Sequence, residues 1–221
     1  IESCGEIYVN GVFAGYTEGS FTPAEFDITE LVKNGVNPLV VKVLRWCDGS
    51  WLEDQDFFRL AGIFRDVYLY ALPEAHISDF RVDARLDENY QDGRLKVEVF
   101  TEEAAEGYEV RLDLYSPKGR GILSTEVAQV KDGRVEFEEE VGTPGQWSAE
   151  SPSLYTVVLT LAAGDEETIL ACRCGFRTFE LKDGLMRLNN RRIVFKGANR
   201  HEFGAGFGRA ITKEAMLQDV R

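Results

Sequence analysis

The sequence lacks any apolar run close to the roughly 18 residues that a membrane-spanning helix needs. It has two histidines, His76 and His201, and no Cys-x-x-Cys pair among its four cysteines. These shortages argue against a membrane span and against a structural zinc site. The first residues also have neither the basic start nor the apolar core of a secretory signal. We therefore expect a cytoplasmic protein whose cysteines are free thiols.

Positive charge is scarce as well. The 25 Lys and Arg residues are outnumbered by 38 Asp and Glu residues, which gives a net charge of −13. Nucleic acids and anionic membranes are bound by clustered cations, so we predict neither as a partner. The acids are spread along the chain, and their simplest role is to keep the surface solvated.

The first stretch of the 221 residues has the pattern of a β-sheet domain. The dipeptide Asn10-Gly11 is a strong signal for a two-residue hairpin turn between alternating segments. Residues 45–62 form a long loop rich in acids and aromatic side chains, and loops of this length are usually functional or disordered. The aromatic content argues against disorder. The predicted strands are 6–9, 12–16, 39–44 and 67–71, with a short helical turn at 26–32.

The second stretch predicts a complete sandwich. Short apolar runs alternate with turn signals at regular spacing over about 100 residues, which is the pattern of an immunoglobulin-like domain. Alternation in 108–115 is typical of a strand with one buried and one wet face. The seven predicted strands are 77–86, 94–100, 108–115, 122–130, 134–141, 154–162 and 168–174.

The last stretch changes character. Strands are predicted at 186–188 and 192–196 around Asn189-Asn190, followed by a glycine-rich loop. Thr212 is a candidate N-cap for an amphipathic helix that continues to the last residue. A strand, a loop and one helix cannot bury a core alone, so we predict the first β/α unit of a larger α/β domain. The alternative is a docked terminal helix of a complete protein.

Two stretches could carry chemistry. The first, at 46–59, interleaves aromatic rings with oxygen-bearing side chains. Sugars suit this mixture, because carboxylates accept hydrogen bonds from hydroxyls and rings cover apolar C–H faces. Closely spaced oxygens could also hold Na⁺, Mg²⁺ or Ca²⁺. The alternative is a solvated loop pinned by its aromatic residues. The polar side chains are Asp48, Glu53, Asp54, Gln55 and Asp56.

The second stretch, at 197–203, follows the predicted strand 192–196. Strand C-terminal ends face the active site in a (β/α)₈ barrel, so polar residues there are catalytic candidates. In an extended chain, Asn199, His201 and Phe203 share one face. A lone histidine is, however, also common as a hydrogen-bonded structural group. No pair of carboxylates in the sequence can be assigned as acid and nucleophile.

Together these stretches resemble the family 2 glycoside hydrolases, and among them the large bacterial β-galactosidases. The sequence IYVNGVFAGY at 7–16, with FDIT at 26–29, is similar to the N-terminal domain of that family. DGSWLEDQD at 48–56, with GIFRDV at 62–67, resembles the β-galactosidase version and is the most specific signal. GANRHE at 197–202 resembles the first barrel strand.

The resemblance implies a mainly β fold: part of a jelly-roll domain (1–73), an immunoglobulin-like sandwich (74–181) and the start of a truncated (β/α)₈ catalytic barrel (182–221). It implies a retaining enzyme that hydrolyses terminal non-reducing β-D-galactose residues. It also implies Mg²⁺ and Na⁺ as cofactors and a homo-oligomer at full length.

By motif position, the resemblance assigns roles to three residues. Asp56 matches an aspartate that binds galactose hydroxyls and a sodium ion. His201 matches a histidine that contacts the sugar and supports the transition state. Asp48 falls where some members have a magnesium ligand. Phe203 and Gly204 depart from the further histidines that other members have there.

The same resemblance implies that the acid/base and nucleophile glutamates lie beyond Arg221, so we expect the fragment itself to be inactive. Two alternatives stay open at this point. One is another family 2 glycosidase such as a β-glucuronidase, although its substrate calls for a basic pocket. The other is a noncatalytic carbohydrate-binding sandwich protein.

Overall fold

The structure is a computed structural model that describes residues 1–53, 58–104, 107–164 and 166–221. The chain divides into two compact units. One is formed by Ile1–Leu69 together with Ala198–Arg221, and the other by Tyr70–Gly197. Strands make up most of the regular secondary structure of the described residues, as the mainly β prediction requires. The predicted domain boundaries differ from these divisions and stay predictions.

The first unit contains a three-stranded antiparallel sheet in the order β2-β1-β3. The predicted hairpin at Asn10-Gly11 is confirmed, and both residues have the positive φ that its turn needs. Asn10 Nδ2 also donates to Leu31 O and to Asn37 Oδ1, each at 2.8 Å, which anchors the turn to the next loop. The strands are β1 (Cys4–Val9), β2 (Val12–Thr17) and β3 (Leu39–Leu44), with a 3₁₀ turn at Thr29–Leu31.

Two details of this unit differ from the sequence prediction. No strand forms at 67–71, where the side chains are exposed, because no neighbouring strand among the described residues pairs with this segment. The long loop at 45–62 contains a short helix, α1 (Asp48–Leu52), which the sequence did not predict.

The second unit confirms the seven-stranded sandwich. One sheet has the order β10-β9-β6-β7 and the other β4-β5-β8, and all pairings are antiparallel. Alternate apolar residues of β5, β6 and β9 are almost fully buried between the sheets. The strands are β4 (His76–Leu86), β5 (Gly93–Glu102), β6 (Glu109–Tyr115), β7 (Gly121–Gln129), β8 (Arg134–Val141), β9 (Tyr155–Ala163) and β10 (Glu166–Cys174).

A small meander follows the sandwich within the second unit. Its order is β11-β12-β13, with β11 at Phe179–Lys182, β12 at Leu185–Leu188 and β13 at Arg191–Arg192. The predicted strand 192–196 was therefore wrong in extent, because its pairing with β12 stops at Arg192 and no other described strand continues it. The helix α2 (Lys213–Val220) is confirmed, and its N-cap Thr212 accepts a hydrogen bond from Ala215 N at 3.3 Å.

All four cysteines are free thiols. Cys172 and Cys174 share one face of β10 and pack against the sandwich core, as their spacing predicts. Across the described ranges, no helix has the length and apolar character needed to cross a bilayer.

Candidate functional site

The loop after β3 is held by its own aromatic and polar side chains. The rings of Trp46 and Trp51 lie 5.6 Å apart, and the Arg45 guanidinium stacks on Trp46. Ser50 is buried, and its Oγ accepts from Cys47 N at 3.2 Å, which closes the first turn of α1. The aromatic residues therefore pin at least the first part of this loop, which agrees with the expectation that it is not disordered.

Of the two predicted metal ligands, Asp56 and Asp48, only Asp48 lies within the described residues. Asp56, the predicted sodium and galactose ligand, lies outside the described residues. Asp48, the predicted magnesium ligand, is exposed at the first position of α1. Within the described ranges no three His, Cys, Asp or Glu side chains are grouped to hold a metal ion. Asp48 would have to share a magnesium ion with ligands from elsewhere, so no chemical step is assigned to a metal here.

His201 lies in the segment that leads from β13 to α2, and its side chain is exposed. Two residues further on, the ring of Phe203 packs on the ring of Phe58 with centroids 5.2 Å apart. Phe58 itself follows Asp56 by two positions. The ring pair thus joins the two stretches that the sequence singled out.

Ion pairs surround this ring contact. Arg65 Nη2 donates to Glu202 Oε2, and Arg65 Nη1 donates to Arg209 O at 3.2 Å. Arg200, on the other side of His201, donates from Nε to Asp219 Oδ2 of α2 at 2.8 Å. Arg200 and Glu202 thus both form ion pairs, whereas the side chain of His201 between them is exposed.

Arg209 is a largely buried cation of the site. Its Nε lies 2.7 Å from Glu2 Oε2, and the two side chains are 10% and 3% exposed. The contact is a charge–charge one without the alignment of a hydrogen bond. Arg209 Nη2 donates to Phe58 O at 3.0 Å, and the guanidinium stacks on the ring of Phe21 at 5.3 Å. One side chain therefore contacts three separate segments of the first unit.

The glycine-rich segment after Phe203 has a structural role. Gly204 and Gly208 exchange two backbone hydrogen bonds of 2.8 Å, which close a tight loop. A Cβ on Gly204 would lie 2.2 Å from the ring of Phe207, and Gly208 has a φ of +59°. Both positions therefore require glycine, one for close approach and one for its backbone conformation.

Sequence reasoning missed Arg209 and Glu2, because nothing local marks an ion pair between residues so far apart in the chain. It found His201 and the loop at 46–59 through residue type and motif. The structure brings Phe58 and Phe203 together and leaves Asp48 and His201 exposed.

Comparison with known families agrees with this architecture. Residues 1–73 match the sugar binding domain of glycosyl hydrolases family 2, and 75–177 match the family 2 domain that follows it. Residues 179–221 match the TIM barrel domain of the same family. The chain belongs to the glycosyl hydrolases of family 2, and the predicted fold class is confirmed.

Two curated relatives extend over the whole chain. A β-galactosidase of Priestia megaterium is 48% identical over 231 aligned residues, and one of Halalkalibacterium halodurans is 43% identical over 225. Each alignment covers 100% of this chain and 22% of the relative. The chain thus spans about a fifth of the length of these relatives.

Solved structures similar to this chain include a β-glucuronidase from Parabacteroides merdae. Its TM-score is 0.88 with 26% identity, covering 99% of this chain and 30% of that one. A β-glucuronidase from Bacteroides uniformis gives a TM-score of 0.85 with 26% identity, covering 99% and 28%. Both agree with the fold, at a lower identity than the β-galactosidases.

Proposed function

We propose that this chain is part of a retaining β-galactosidase that removes terminal β-D-galactose residues from β-galactosides. The observation that carries the proposal is the 48% identity to a β-galactosidase across the full length of the chain. The motif at 48–56 adds to it, since this acidic loop is the part that resembles β-galactosidases most specifically.

The proposed roles follow from the chemistry of each side chain. The carboxylate of Asp56 accepts hydrogen bonds from galactose hydroxyls. The imidazole of His201 donates to the sugar and stabilises charge that develops in the transition state. Both residues serve binding and stabilisation. The bond-breaking glutamates of the family belong to later barrel positions, so we expect no turnover by the 221 residues alone.

Cofactors, partners and compartment remain part of the same proposal. Na⁺ bound by Asp56 and a peripheral Mg²⁺ near Asp48 suit oxygen ligands of this kind. The substrate is a β-galactoside, and the full-length enzyme is a cytoplasmic homo-oligomer.

A β-glucuronidase is the second candidate, since two similar structures carry that name. Identity to them is 26%, against 43–48% to the β-galactosidases. A glucuronide carboxylate also needs a cationic pocket, whereas the loop at 48–56 is acidic. A noncatalytic sandwich protein is disfavoured by the match of 179–221 to a catalytic barrel domain.

The test is an assay of the family-length protein that carries this chain, on chromogenic β-D-galactoside and β-D-glucuronide. We expect turnover of the galactoside. Asp56→Ala should lower kcat/KM by roughly 10²–10³-fold, the cost of one lost charged contact at a reacting sugar. The matched control is Asp83→Ala, which removes a surface carboxylate paired with Arg85.

Preference for the glucuronide, or an Asp56→Ala variant as active as the control, would contradict the proposal. The isolated 221-residue chain supplies a further check, since turnover above buffer would show that the chemistry does not depend on later barrel positions.

A further inference from the structure

We propose that Arg209 is a positioning residue of the enzyme, which fixes the loop carrying His201 and Phe203 against Phe58. The inference rests on the proposed function, because His201 is taken to support the transition state. Arg209 itself is eight residues from His201 and has no assigned contact with substrate.

The first argument is the number of segments that converge on this guanidinium. It contacts Glu2, two residues before β1, the carbonyl of Phe58 and the ring of Phe21. Its own carbonyl accepts from Arg65 Nη1. Five donors in a rigid plane allow arginine to hold several partners at once, which lysine cannot do.

Burial gives the second argument. Glu2 is 3% exposed, so its charge needs Arg209 as a counter-ion in a weakly polar surrounding. A pair like this is poor evidence for stability alone, because replacing both partners by apolar residues is often neutral. Such pairs are better suited to fixing a unique arrangement, and here the arrangement concerns the loop after His201.

The third argument is the geometry of that loop. Its far end is fixed at Arg209, its middle is closed by the Gly204–Gly208 hydrogen bonds, and its near end is held by Arg65 on Glu202. Phe203 then packs on Phe58. His201 lies immediately before this braced segment, so its position depends on the brace. A shift of about 1 Å at a reacting group can cost roughly 10²-fold in rate.

The experiment compares four variants of the family-length enzyme. Arg209→Met removes the charge and keeps the length of the side chain. Arg209→Lys keeps the charge and loses the fork. Glu2→Leu with Arg209→Met removes both charges. Arg134→Met is the control, since Arg134 pairs with Glu98 on the surface of the other unit.

Three quantities are measured: kcat and KM on a chromogenic β-galactoside, the melting temperature, and amide exchange of residues 202–208. Arg209→Met should lower kcat by roughly 10²-fold while KM changes by less than about threefold. Exchange of 202–208 should quicken by about tenfold or more. Arg209→Lys should fall between wild type and Arg209→Met, and the control should match wild type.

The double variant separates positioning from stability. We expect its melting temperature to return close to that of wild type, while kcat stays low and 202–208 keeps exchanging fast. Recovery of kcat together with melting temperature would overturn the proposal, as would unchanged exchange in Arg209→Met. An increase in KM alone would overturn the link to the transition state.

Failure of the proposed function gives a different result. In that case wild type itself does not hydrolyse the galactoside. The exchange of 202–208 in Arg209→Met and in the double variant still decides whether Arg209 fixes the loop.

Discussion

Phe176 closes one end of the sandwich, and its truncation is the sharpest stability test that the fold offers. The side chain is fully buried, and its ring meets that of Tyr155 edge-to-face at 5.0 Å. Tyr155 belongs to β9 in the four-stranded sheet. On the other side lies Gly93 of β5 in the three-stranded sheet, where a Cβ would come within 2.6 Å of the Phe176 ring. Phe176 therefore packs between both sheets.

The expected cost of Phe176→Ala follows from this burial. Removing a buried phenylalanine costs about 3–5 kcal/mol through lost transfer energy and the cavity left behind. The edge-to-face contact adds about 0.5–1.5 kcal/mol. The glycine at position 93 has no side chain to move into the cavity. We therefore expect a loss of about 4–6 kcal/mol in the free energy of unfolding of the sandwich.

Amide exchange measures this loss directly. Amides in the centre of β5 and β9 exchange through opening of the whole sandwich, so their rates should increase by about a thousandfold or more. Phe179→Ala is the matched control, because that phenylalanine is 55% exposed. If both variants changed these rates equally, the assignment of Phe176 as a core residue between the two sheets would be refuted.

Two further predictions concern ionisable groups of the same unit. Hydrogen bonds from Gln91 N and Asp92 N to the carboxylate lower the pKa of Asp87. The stabilising contribution of Asp87 is therefore fully present above about pH 3.9, the ordinary pKa of an aspartate, and is lost as the pH falls through the lowered pKa. The difference in urea midpoint between wild type and Asp87→Ala should therefore be full at pH 6 and smaller at pH 3, whereas equal differences would contradict the assignment. Burial raises the pKa of Cys174 to about 11. At pH 8, alkylation of Cys174 by iodoacetamide, followed by mass spectrometry, should therefore be far slower in the folded chain than in urea. Fast labelling in the folded chain would contradict this burial.

The parts of the fold that were predicted correctly have local causes. Asn10-Gly11 adopts positive φ at both positions, which few other dipeptides do at low cost. Alternation along β6 follows from the two-residue period of a strand with one buried face. Thr212 caps α2 through a bond to a residue three positions away. Each signal lies within a few residues of the structure it determines.

The incorrect strand predictions have causes that lie outside the predicted segments. Residues 67–71 have side chains that are typical of a strand. A strand also needs a neighbouring strand to pair with, and the composition of a segment does not indicate whether one is present. The strand predicted at 192–196 shortens for the same reason. The sequence did offer one signal for β11 that went unused: Asp183-Gly184 has positive φ at both positions, like Asn10-Gly11.

The residues of the candidate site divide in the same way, into those marked by a local motif and those brought together only by folding. Motif resemblance indicated His201, Asp48 and Asp56, because short motifs keep their residues close in sequence. Arg209 and Glu2 escaped, since 207 positions separate them and only the folded chain makes them neighbours. The glycines at 204 and 208 are explained by the ring of Phe207 and by a turn with positive φ, which only the folded loop shows.

The distance in sequence between Glu2 and Arg209 sets a delay during synthesis. A ribosome adds about 5–20 residues per second, so roughly 10–40 s pass between the two residues. Unit Tyr70–Gly197 is contiguous and can complete its contacts in that interval, while the first unit waits for Ala198–Arg221. Until then the carboxylate of Glu2 has no counter-ion from Arg209. The order of translation thus makes the Glu2–Arg209 pair one of the last contacts of the first unit to form.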